Sequence, residues 1–171
     1  EKVEDLIDIY DGYAPAEIFA PVSSARFSSL RFSNDLNSCP GISQEGVAQY
    51  SAQGTCYWGR IGGTSIDRQR DGMSIDYDET VFGISGGVQT EIADGWYAGA
   101  ALSYERSDLS NDQVSGDGDR FQLGAVLKRE IGATTLSGSL SGGYSNYDLS
   151  RKVTTLDGTK TAKSDPRTTW I

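Results

Sequence analysis

From Thr55 onward, apolar and polar residues alternate with period 2. Between residues 79 and 92 the even positions are Phe82, Ile84, Gly86, Val88, Thr90 and Ile92, and the odd ones include Gly83, Ser85, Gln89 and Glu91. From 96 to 108, Trp96, Ala98, Ala100, Leu102 and Tyr104 oppose Tyr97, Gly99, Ser103 and Glu105. From 119 to 131, Phe121, Leu123, Ala125 and Leu127 oppose Arg120, Gln122, Lys128 and Glu130. From 133 to 149, Leu136, Leu140 and Tyr144 oppose a column of Thr and Ser (Thr135, Ser137, Ser139, Ser141, Ser145). Side chains of a strand point alternately to its two faces, so each segment predicts a strand with one apolar and one polar face. A less regular segment at 55–67 is read as a fifth strand.

The connections between these strands are of two kinds. Ala93-Asp94-Gly95 and Gly132-Ala133 are tight turns. RQRDGMSIDYDE, LSNDQVSGDG and SRKVTTLDGTKTAKSDP are long and polar. Short and long alternate, which places every long connection at one end of an antiparallel up-and-down sheet. A soluble sandwich shows the same two-faced strands but has no reason for that asymmetry, whereas a transmembrane β-barrel has short turns on one side and long loops on the other. The aromatic residues agree, with Trp96 beside a short turn and Tyr104 and Tyr144 toward the long connections. The expected lipid-facing set is Phe82, Ile84, Val88, Trp96, Leu102, Tyr104, Phe121, Leu123, Leu127, Leu136, Leu140 and Tyr144. The expected lumen-facing set is Glu91, Ser103, Glu105, Arg120, Gln122, Lys128 and Glu130. The fold class is all-β, a partial barrel of about five to six strands.

The region before the strands follows another period. In EKVEDLIDIY, Val3, Leu6, Ile7 and Tyr10 share one helix face, and VSSARFSSLRFSNDL at 22–36 reads as a second helix or helical linker. The chain divides into a helical linker (1–37), a loop bounded by Cys39 and Cys56 (38–56) and the strands (57–171). A disulfide across that loop would contribute about 3 kcal/mol by chain entropy; two unpaired thiols are the other reading. There is no CxxC, and no His to complete a zinc site.

Composition narrows the functions. The chain has 171 residues, 21 Gly, four Pro and no His, with a net charge of -9 and a mean hydropathy of -0.42. An acidic chain without basic clusters argues against nucleic-acid binding. No run of about 18 apolar residues offers a membrane helix, a test that half-polar barrel strands escape. The acidic first residues lack the basic start and apolar core of a signal peptide, so a leader is expected to have been removed or the segment to lie within a longer precursor. Without His, Ser-His and Cys-His nucleophile systems are absent, and no enzymatic activity is expected. NDQVSGDGD, with Asp112, Asp117 and Asp119, lacks calcium-loop spacing. No metal or cofactor is expected. Asn34 and Asn37 read as helix-end or turn residues, and no cleavage is assigned to them.

CYWGRIGG, FGISGGVQTEIADGWYAGAALSYERS and DGDRFQLGAVLKREIG, in that order, resemble the barrel domain of bacterial autotransporters, most closely the versions with a short cysteine loop, SCP…CYWGR, before the barrel. The resemblance covers roughly 38–151. It implies type V secretion at the outer membrane of a Gram-negative bacterium, in which the barrel anchors an N-terminal passenger of the same precursor. The implied partners are outer-membrane lipid, barrel-assembly machinery and that passenger. It also implies a disulfide between Cys39 and Cys56, and a helix that plugs the pore; Arg26 and Arg31 on that helix are read as meeting Glu91, Glu105 or Glu130, with two solvated arginines as the other reading. The chain stops at TTWI as a sixth strand begins, fewer than the ~8 strands of the smallest single-chain barrels. A fragment open to self-association through its edges is therefore expected. A soluble all-β ligand-binding module and a diffusion porin are the alternatives.

Overall fold

A computed structural model describes residues 19–39, 46–68, 77–110, 114–155 and 158–171. The periodic segment at 3–10 lies outside them. One helix, α1 (Phe19–Leu36), precedes eight strands: β1 (Val47–Ala52), β2 (Thr55–Arg68), β3 (Tyr77–Ala93), β4 (Trp96–Ser110), β5 (Val114–Ile131), β6 (Thr134–Thr155), β7 (Gly158–Ser164) and β8 (Arg167–Trp170). They form one antiparallel sheet in chain order from β1 to β7. β7 and β8 lie on β6 in one register, Ser164 opposite Leu149 and Arg167 opposite Asn146. They make a single edge strand interrupted at Asp165-Pro166, where proline has no N–H for the ladder. Among the described residues the sheet does not close: β1 and the β7–β8 strand stand at its two edges.

The strands are longer than apolar alternation predicts. β5 begins at Val114 and β6 runs to Thr155, so most of LSNDQVSGDG and SRKVTTLDGTKTAKSDP is paired strand and not loop. Hydropathy cannot detect a strand that is polar on both faces, yet backbone pairing continues once the hairpin sets the register. A small cluster of Leu109, Val114, Tyr147 and Leu149 supports this extension. Tyr147 and Leu149 lie against Gly118 and Gly116, where any Cβ would collide with them. Within the cysteine loop, Val47–Ala52 pairs with Thr55–Arg60 as a strand.

α1 lies along one face of the sheet, and the other face is bare. Along β4, Ala101, Ser103, Glu105, Ser107 and Leu109 are buried while the alternate residues are exposed. The register aligns side chains into rows across the bare face. One row reads Ile84, Tyr104, Phe121, Tyr144, with the Tyr104 and Phe121 ring centroids 4.9 Å apart. Toward the tight turns come Leu102 beside Leu123, then Ala100, Ala125 and Leu140, and lastly Trp96 beside Arg129. Toward the long connections the apolar rows stop and Asp108, Asp117 and Asp148 stand side by side. From Trp96 to Tyr104 the strand rises about 27 Å, the scale of a ~25 Å apolar band.

Candidate functional site

α1 is poor in strong helix formers and rich in serine (FAPVSSARFSSLRFSNDL), so its stability depends on what it packs against. Its N-terminal half is bound through hydroxyls. Ser24 and Ser28, four residues apart, share a face and are buried. Ser24 Oγ donates to Glu79 Oε1 at 2.6 Å and accepts from Arg120 Nη2 at 2.8 Å. Ser28 Oγ donates to Glu105 and accepts from Gln122 Nε2 at 2.6 Å. Arg120, only 2 % exposed, also donates to Glu105 Oε2 at 2.7 Å and to the Tyr147 hydroxyl at 2.5 Å. Ser107 gives Glu79 a second hydroxyl donor. Burying two carboxylates beside one guanidinium is tolerable only because donors meet them from both helix and sheet.

The C-terminal half is bound by shape and charge. Phe32 and Leu36 pack with Trp58, Ala101, Val126 and the two cysteines. They sit over Gly124, where a Cβ would collide with Leu36 and lie 2.9 Å from Phe32. Asp35 pairs with Arg60 of β2 at 3.1 Å. Past the helix end, Lys128 Nζ donates to the carbonyls of Asn37, at 2.8 Å, and Cys39. A cation there satisfies orphan carbonyls and opposes the negative end of the helix dipole. Cys39 and Cys56 are joined in a disulfide. The helix therefore has a fixed direction: its N-terminal half meets Glu79 and Arg120 toward the long connections, and its C-terminal end meets Lys128 near the tight turns.

Of the residues expected to face a lumen, Ser103, Glu105, Arg120, Gln122 and Lys128 are buried on the helix face. Glu91 and Glu130 are exposed instead, at the tight-turn rim, where Glu91 accepts the N–H of Gly95 in its own turn. The residues expected to face lipid lie on the bare face: Phe82, Ile84, Val88, Leu102, Tyr104, Phe121, Leu123, Leu127, Leu136, Leu140 and Tyr144 are exposed, and Trp96 is half-buried beneath the Arg129 guanidinium, 4.7 Å above its ring. The expected pairing of a helix arginine with a sheet carboxylate is corrected. The ion partner of Glu105 is Arg120, and among the described residues the ion pair between α1 and the sheet has its acid, Asp35, on the helix. Arg26 is exposed, on the side of α1 away from Ser24 and Ser28; Arg31 lies on the stripe of Ser24, Ser28 and Asp35 and lines a small cavity with Asp35, Arg60 and Glu105. Asn34 is exposed and Asn37 half-buried. Asp117 and Asp119 lie on β5, and Asp112 lies outside the described residues.

Sequence reasoning missed Ser24, Ser28, Asp35, Trp58, Glu79, Gly124 and Tyr147. A signal existed for several. Glu79 has the odd parity of Glu91, and Ser24, Ser28 and Asp35 recur at helical spacing. Nothing in the local pattern marks Gly124 as the hole for Leu36, because that contact joins distant segments.

The model of one family, described as the autotransporter beta-domain, matches residues 57–170. The translocator domain of the autotransporter NalP from Neisseria meningitidis is similar in structure, with a TM-score of 0.60 and 17 % identity, over 91 % of this chain and 51 % of that one. The chain thus spans about half the length of that solved structure. No curated protein matches the chain.

Proposed function

We propose, for a chain that belongs to the autotransporter β-domain family of the Gram-negative outer membrane, that it supplies part of a translocator pore and the helix that plugs it. The bare face of the sheet meets outer-membrane lipid, and the helix face lines the channel. A passenger N-terminal to α1 is anchored by the plug after passage, and barrel-assembly machinery inserts the domain. The work is architectural: the buried hydroxyls, carboxylates and Arg120 are engaged in holding a helix, and no catalytic role is assigned to them.

One observation carries this reading. α1 runs the length of the polar face with its N-terminal half toward the long connections and its C-terminal end beside the tight turns. If the end of the sheet at 69–76, 111–113 and 156–157 lies outside the cell and the end at 94–95 and 132–133 in the periplasm, the chain preceding α1 is delivered to the outside. The complete precursor, purified from outer membranes, is to be compared in planar bilayers with a form lacking residues 19–37. The plug reading predicts low conductance for the first and a sustained open pore for the second. Equal conductance would contradict it.

A further inference from the structure

A plug held in a pore does not require a covalent bond to the wall, yet this one has such a bond. Cys39 lies just past the last turn of α1 and Cys56 at the start of β2. Both are buried, in a cluster with Phe32, Leu36 and Trp58. Side chains of the sheet also hold the three carbonyls after the helix: Lys128 donates to those of Asn37 and Cys39, and Gln49 to that of Ser38 at 3.1 Å. The N-terminal half of the helix is held differently, by hydrogen bonds through Ser24 and Ser28. Hydrogen bonds of that kind exchange with water at small net cost, and a disulfide does not. The bond joins the segment after α1 to the second residue of β2, and Cys39 and Cys56 both fall before residue 57, where the family match begins.

We propose that the Cys39–Cys56 disulfide is a lock on the plug, an inference that rests on the plug reading above. Intact, it pins the C-terminal end of α1 at the tight-turn mouth and keeps the pore closed. Reduced, it leaves only non-covalent contacts, and the helix can leave the channel. Opening is a two-electron thiol–disulfide exchange. A thiolate of a dithiol reductant bonds to one cysteine sulfur and displaces the other, which takes up a proton. The second thiolate of the reductant then attacks the reductant's own bonded sulfur and expels the remaining cysteine, which takes up a proton, leaving Cys39 and Cys56 as thiols and the reductant as a disulfide. Locking is the reverse, with a disulfide-bearing oxidant. Exchange needs access to a sulfur, and Cys39 and Cys56 are 0 % and 3 % exposed once α1 is seated. The lock therefore closes before or during seating, and it is reduced only when the end of α1 lifts transiently from its seat, so reduction of the parent protein is slow and its completion is read by alkylation.

The test uses the complete precursor in planar bilayers in three forms: oxidised, reduced with dithiothreitol with both thiols verified by alkylation, and Cys39→Ala/Cys56→Ala. Loss of a tether across 17 residues should raise the opening frequency on the order of 100-fold in the second and third forms. Deletion of residues 19–37 is the reference for a pore without a plug. If deletion opens the pore while reduction and the double substitution leave it closed, the lock is wrong and the plug stands. If deletion changes nothing, the plug reading fails and the lock with it. Should the double variant fail to fold, seen as loss of the heat-dependent gel shift, the reduced parent protein decides alone.

Discussion

The seat of the helix is most sensitive at Gly124. A methyl group there would enter the space of Leu36 and lie 2.9 Å from Phe32. The sheet cannot yield, because Gly124 is paired on both sides, with Ala101 and Ser141, so the helix must lift. Overpacking of this kind costs about 1–3 kcal/mol. Replacing Gly with Ala also restricts the unfolded chain, which returns about 0.4–1 kcal/mol to global stability but nothing to the seating of α1. Gly124→Ala is therefore expected to raise the frequency of pore opening about 5- to 150-fold while the heat-dependent gel shift moves little. Gly138→Ala is the control, since a Cβ there meets nothing within 4 Å. Equal opening frequencies for Gly124→Ala, Gly138→Ala and the parent would refute the account of the seat.

Arg120→Ala leaves Glu105 buried without its cation and removes a donor from Ser24 and Tyr147. A loss of about 3–5 kcal/mol is expected, read as a lower temperature of barrel melting; a change within error would contradict the buried network. Lys128→Met removes the donor to the Asn37 and Cys39 carbonyls and should cost about 1–3 kcal/mol, seen as faster hydrogen exchange in the last turn of α1, with unchanged exchange as the refuting result. Leu123→Arg, in the middle of the bare face, should cost about 2–4 kcal/mol in a bilayer; equal unfolding stability of the two proteins in liposomes would count against lipid contact there.

The strands were legible where one face is apolar and the other polar. From Phe82 to Ile92 and Trp96 to Tyr104, parity alone separates the helix face from the bare face. It failed where the two faces are alike: 150–155 and 158–164 pair along an edge with no apolar column to betray them. Parity also assigns a face and no depth. Glu91 and Glu105 share a parity, yet Glu105 is buried against Ser28 and Glu91 reaches the rim. The helix was legible from 22 to 36, but its partners were not. Arg26 and Arg31 drew attention as charges, while the contacts are made by Ser24, Ser28 and Asp35, whose side chains are short enough to let the helix approach the sheet.

The central claim is that one face of this sheet meets lipid and the other a plugged channel. Single spin labels at Leu102, Leu123, Ser103 and Gln122 of the complete protein in liposomes test it directly, with collision rates measured against a bilayer-restricted and a water-soluble relaxant. Leu102 and Leu123 are 65 % and 62 % exposed on the bare face, and Ser103 and Gln122 are buried beneath α1. The account predicts frequent bilayer collisions at the first pair and few at the second. Similar rates at all four positions, or water-dominated collisions at Leu102 and Leu123, would contradict it.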